Sequence, residues 1–226
     1  MPDSNSFDQH VIGFIDSLHT DIELPGGVDW IYPFENPAVV DLASQFYSKY
    51  YSDQKERYFL FGINPGRLGA GMTGVPFTDP ILLESKCDIP NDAQKKHELS
   101  SLFIYEMIEY LGGVDWFFKE YYITSICPLG FIKDKKNYNY YDSPELLNTL
   151  KGYIVENIEH QISKFCKRDK SFSLGQGKNY KIFVELNKEY KWFDEIIPLP
   201  HPRWVMQYKR KQKKIYLDEY LLKLKD

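Results

Sequence analysis

Tyr58-Phe59-Leu60-Phe61-Gly62-Ile63-Asn64-Pro65-Gly66 decides how this chain folds. The apolar, aromatic-rich run up to Ile63 is too short for a packed helix and reads as a buried strand. Asn64-Pro65-Gly66 stops it, because proline removes a ladder donor and glycine admits the turn. Three similar strands follow downstream. Tyr121–Ile126 is halted by Cys127-Pro128-Leu129-Gly130, and Ser171–Leu174 by Gly175-Gln176-Gly177. Glu195–Leu199 runs into Pro200-His201-Pro202-Arg203.

Helical patterns lie between these strands. Phe7 to Leu18 places Val11, Phe14, Ile15 and Leu18 on one face, and Asn36-Pro37 supplies a cap and a first-turn proline for the next helix. Helical periodicity returns from Glu98 to Tyr110. Ser143-Pro144-Glu145 opens a helix running to about Phe165, Lys178–Tyr190 forms another, and a basic helix closes the chain. The segment from Gly66 to Pro80 reads as a long loop. Alternating strands and helices predict one domain over residues 1–226, a three-layer α/β/α fold on a short, mainly parallel four-stranded sheet. Parallel sheets bind ligands outside the carboxyl ends of their strands. The four stop segments are therefore expected on one rim, around one site.

Composition narrows the classes. The 226 residues are 43% hydrophobic, and no stretch approaches the ~20 apolar residues of a membrane span. Met1–Ser6 lacks the basic-then-apolar order of a secretion signal, so a cytoplasmic protein is expected. Cys87, Cys127 and Cys166 are far apart, which suits a reducing compartment and suggests neither a zinc site nor an iron–sulfur cluster. No metal and no cofactor is expected. Gly69-Ala70-Gly71-Met72-Thr73-Gly74 matches a dinucleotide fingerprint by spacing alone. It does not follow a strand directly, and two prolines stand where its helix should open.

The net charge of −4 does not point to nucleic acid, but its distribution matters more. Arg203 to Lys214 holds six basic residues and no acid, either a solvated helix face or a phosphate contact. The eighteen tyrosines, within a 16% aromatic content, read mostly as packing. His10, His19, His97 and His160 read as structural. His201 differs, being fixed between prolines at a strand end.

Gly62-Ile63-Asn64-Pro65-Gly66, followed by Thr73-Gly74-Val75-Pro76-Phe77, resembles the first motif of the single-strand-selective monofunctional uracil-DNA glycosylases, within the uracil-DNA glycosylase superfamily. The resemblance continues through Cys127-Pro128-Leu129, Leu174-Gly175-Gln176-Gly177 and Leu199-Pro200-His201-Pro202, from about residue 57 to 203. It implies a monofunctional hydrolase that flips uracil, or a related damaged base, out of DNA and cleaves the N-glycosidic bond. Asn64 would position the attacking water, and His201 would donate to the carbonyl oxygen of the departing base. Phe77 would stack on the base. Gly62, Ile63 and Pro65 would complete its pocket, with Gly66 and Ala70 around ring position 5. Arg203, Trp204, Lys209, Arg210 and Lys211 would engage the DNA.

Two positions depart from the family. Ser125 stands where the family has an asparagine that reads the base edge, and one hydroxyl replaces a fixed donor–acceptor fork. The segment after His201 is shorter, leaving Arg203, Trp204 or Met206 as the duplex wedge. No lysine replaces a motif residue, so a lyase step is not implied. The expected partner is DNA alone, with the protein acting as a monomer on no membrane. A non-catalytic base-sensing module and a small-molecule hydrolase are the competing readings.

Overall fold

The computed structural model describes residues 6–225. The N-terminal reading of Met1–Asn5 therefore lies outside the described residues. Its centre is a parallel sheet of β2 (Tyr58–Gly62), β3 (Tyr121–Ser125), β6 (Lys170–Leu174) and β7 (Glu195–Leu199), in the order β3-β2-β6-β7. Gly62 pairs with Ser125 at the end of β2 and β3, and Leu174 with Leu199 at the end of β6 and β7. The shared register brings all four stop segments to one rim, as the alternating pattern predicts.

The predicted helices are present: α1 (Phe7–Ser17), α2 (Pro37–Tyr51), α5 (Leu99–Leu111), α7 (Pro144–Ile162) and α8 (Lys178–Tyr190). Their starts follow cap chemistry. Asn36 Oδ1 accepts from Ala38 N at 3.0 Å, and Ser143 Oγ accepts from Leu146 N at 3.1 Å. The aromatic residues are chiefly core. Phe7, Tyr51, Phe59 and Tyr122 form one cluster, with Phe59 and Tyr122 centroids 4.8 Å apart.

Several elements were not expected. β1 (Val28–Ile31), β4 (Gly130–Lys133) and β5 (Lys136–Tyr138) form a second, antiparallel sheet in the order β1-β4-β5. Gly130 opens β4 so close to the motif loop that a Cβ there would stand 2.2 Å from Pro65 O. The Gly66–Pro80 segment is not wholly loop, since it contains the short helix α3 (Ala70–Thr73). Two further helices, α4 (Pro80–Cys87) and α6 (Val114–Glu120), are also present. Asp79 caps α4, accepting from Ile81 N and Leu82 N at 3.0 Å each, so Asp79-Pro80 was a legible start signal.

The closing basic helix is a correction. It divides into α9 (Pro202–Tyr208), a 3₁₀ turn at Arg210–Gln212 and α10 (Lys213–Lys225). α10 turns away to bury Leu217, Tyr220 and Leu224, and Tyr220 Oη donates to Pro200 O at 2.5 Å. Core packing outweighs helical continuity there.

Candidate active site

The rim encloses a cleft of about 950 Å³ lined by residues from all four strand ends. Asn64, Phe77, Ser125 and His201 line it together, as do Ile63, Pro65, Gly66 and Ala70. Gly62 lies beneath: a Cβ there would meet the Phe77 ring at 2.8 Å, so glycine is what lets that ring settle on the strand end.

Asn64 is held by the second sheet. Its Oδ1 accepts from Tyr140 N at 3.1 Å, and its Nδ2 donates to Tyr138 O at 3.2 Å and Pro65 O at 3.3 Å. Both amide protons are spent, and one Oδ1 lone pair remains. That lone pair can orient a water but is too weak a base to deprotonate it.

Phe77 has φ +53°, a left-handed conformation that costs a non-glycine residue about 1–3 kcal/mol. Buried Thr73 holds it there. Its hydroxyl donates to Thr78 O at 2.7 Å and accepts from Val75 N at 3.1 Å, knotting the loop on both sides of Phe77. The Phe77 and His201 ring centroids are 6.5 Å apart across the cleft.

His201 is the N-cap of α9, and its Nδ1 accepts from Arg203 N at 3.1 Å. Assigned from that bond, the proton sits on Nε2. Burial above all, with the Arg203 charge adding to it, pushes its pKa down to about 4, so the ring is neutral at neutral pH. A neutral imidazole with Nδ1 occupied offers one donor, Nε2–H.

Ser125 is buried, and its hydroxyl hydrogen-bonds to no protein group among the described residues. It lies on the cleft wall beside Gly62 and is free to face a ligand.

The proposed DNA contacts separate. Arg203 and Trp204 line the cleft mouth, with exposed Gln207 and Tyr208 on the same helix. Met206 is buried and is removed from the wedge candidates. Lys209, Arg210 and Lys211 do not line the cleft. Lys209 lies 5.8 Å from the Trp204 ring centroid, Lys213 pairs with Glu106, and Lys214 with Asp218. Sequence reading missed three other cations at the mouth: Arg67, Lys136 and Lys178. None pairs with an acid among the described residues; Arg67 Nε instead donates to Asn137 Oδ1 at 3.3 Å. They come from three distant segments, so no run of charge announced them.

Two polar residues of the cleft lining, buried Asn179 and half-buried Glu98, were also missed. Asn179, at the start of α8, lines the cleft, and Tyr140 Oη donates to its Oδ1 at 2.7 Å. Glu98 also lines the cleft, its carboxyl accepting from Ser101 Oγ at 3.1 Å and pushed up in pKa mainly by burial. For Asn179 the signal was available: a polar residue two positions after the rim segment Gly175-Gln176-Gly177.

A flat aromatic ring, an amide with one uncommitted lone pair and a single neutral donor therefore line one cleft. Residues 48–225 match the uracil DNA glycosylase superfamily, and the chain belongs to that superfamily. The fold is similar to the crystal structure of wild-type Pedobacter heparinus SMUG2, with a TM-score of 0.94, 44% identity and 97% of each chain covered. No curated protein matches the chain.

Proposed function

We propose that the protein excises uracil from DNA as a monofunctional glycosylase. The observation that carries this reading is the convergence of Asn64, Phe77 and His201 on one cleft from separate strand ends. A base inside a duplex is out of reach, so the target must be extruded into the cleft. There Phe77 stacks on the ring and Ser125 meets its polar edge. Gly62, Ile63, Pro65, Gly66 and Ala70 close around it.

Breaking the glycosidic bond places positive charge on the sugar and negative charge on the base. Nε2–H of His201 stabilises the developing anion, a contribution of about 10² to 10³ in rate for one well-placed donor. Asn64 Oδ1 holds a water against the oxocarbenium-like sugar. With only an amide to orient that water, the reaction leans on the departing anion. Arg203 and Trp204 engage the DNA at the mouth, with Lys209, Arg210 and Lys211 near the phosphates; these contacts fix register without reading sequence.

The test is incubation with a uracil-containing oligonucleotide followed by alkaline cleavage. Strand scission at the uracil position is expected. Binding to the oligonucleotide without scission would support a non-catalytic module, and activity on free nucleosides alone a small-molecule hydrolase.

A further inference from the structure

Asn64, Tyr140 and Asn179 form a polar circuit that no single segment of sequence contains. Tyr140 gives its backbone N–H to Asn64 Oδ1 at 3.1 Å and its hydroxyl to Asn179 Oδ1 at 2.7 Å. Asn179 Nδ2 reaches back to Gly62 O at 3.5 Å, two residues before Asn64. Tyr140 is fully buried, and Asn179 is 2% exposed. The circuit therefore joins the exit of the second sheet, the start of α8 and the strand end that carries Asn64.

The polarity of the circuit follows from chemistry. Gly62 O can only accept, so the Asn179 amide nitrogen faces it and the amide oxygen faces Tyr140. Burial raises the Tyr140 hydroxyl well above its ordinary pKa, so it remains a donor. Without that bond, the Tyr138–Tyr140 backbone would keep its contacts to Asn64 but lose its buried anchor. Reaction rates respond steeply to such looseness, since a misplacement of about 1 Å can cost about a hundredfold.

We propose that Tyr140 and Asn179 are positioning residues. They hold the Asn64 amide in the orientation that directs its free lone pair at the water, and they act on the rate through Asn64. This inference rests on the glycosylase reading.

The experiment compares Tyr140→Phe with the double variant Tyr140→Phe/Asn179→Leu. Single-turnover excision, affinity for abasic DNA and thermal stability are measured for each. Tyr140→Phe strands Asn179 Oδ1, so stability and rate should both fall, the rate by about tenfold to a hundredfold, with abasic-DNA affinity retained. The double variant removes both polar partners and keeps an apolar fill, so stability should recover towards wild type. The rate should stay low, because the tether is still absent. Recovery of both quantities would make the pair merely structural and overturn the proposal, as would a Tyr140→Phe rate equal to wild type. Parallel loss of DNA affinity in Tyr140→Phe, a residue that does not line the cleft, would also overturn it. If the wild-type protein excises no uracil, the glycosylase reading fails instead, and that outcome is read before any variant is made.

Discussion

Arg57 and Asn64 stand at opposite ends of β2, and their surroundings are opposite in kind. The Arg57 guanidinium is wholly enclosed. Its centre lies 4.8 Å from the Phe7 and Tyr51 ring centroids, and it donates to Asp53 at 2.8 and 3.0 Å and to Phe118 O at 2.7 Å. Every polar demand there is met by the protein. At the other end, Asn64 keeps one lone pair unused, Ser125 keeps a free hydroxyl, and His201 keeps an unoccupied donor. The amino end of the sheet spends its polar groups on stability, and the carboxyl end holds them in reserve for a ligand.

The sharpest way to break that contrast is at the reserve end. Asn64→Ala and His201→Ala should each lower single-turnover excision by about 10² to 10³, the scale of one lost transition-state contact, and leave abasic-DNA binding largely intact. An equal loss of binding would place both residues in the scaffold. At the closed end, Asp53→Ala leaves the buried Arg57 short of its counter-ion. Unfolding should become easier by about 2–4 kcal/mol, below the full buried-pair value because Asp53 is 37% exposed, with the excision rate of the folded protein unchanged. Chemical denaturation and single-turnover kinetics on the same sample decide this, and a slowed rate would deny the separation of the two ends.

The mouth of the cleft gives a smaller effect. Replacing Arg67, Lys136 and Lys178 together by Gln should shallow the slope of log affinity against log salt by about 2 to 3, each phosphate contact contributing about 0.7–0.9. The same treatment of Lys209, Arg210 and Lys211 should change it less, because these three do not line the cleft. The reverse ranking would move the DNA path onto the basic run. Ser125→Asn restores a fork of donor and acceptor, and should change the relative rates among deaminated bases by about tenfold or less while Ser125→Ala keeps substantial uracil excision. A common factor for all bases would show that position 125 does not read the base.

The smallest expected effect is a flat one. His201 is already neutral above about pH 4, so its role as donor predicts no change in excision rate from that group between about pH 5 and 8. A rate that climbs as pH falls through this range would make the imidazolium the active form. Stability behaves differently. The folded pKa lies below the ordinary 6.5, so the unfolded chain takes up the proton first. The contribution of this residue is fully present above about pH 6.5 and is lost as pH falls towards 4.

Local signals explain what could be read in advance. Short apolar runs ended by Asn-Pro-Gly or Pro-His-Pro are strands with stops, and Asn36-Pro37 and Ser143-Pro144 are helix starts, because turn and cap chemistry acts over a few residues. β1, β4 and β5 escaped because they are three or four residues each and polar in part, with no period to detect. Asp79-Pro80 carried a start signal that the surrounding glycines and prolines obscured.

The amino-acid sequence by itself determined the parallel sheet, the rim that bears the site, and the residues Asn64, Phe77, Ser125 and His201 on it. Only the tertiary structure decided that Asn64 is clamped by Tyr138 and Tyr140, that His201 is neutral, that Met206 is buried, and that cations from three segments ring the mouth. The reason is one of range. Strand period and turn residues are settled between near neighbours, whereas burial, protonation and hydrogen-bond partners depend on groups brought together from across the chain, such as Asn64 and Tyr140, seventy-six positions apart.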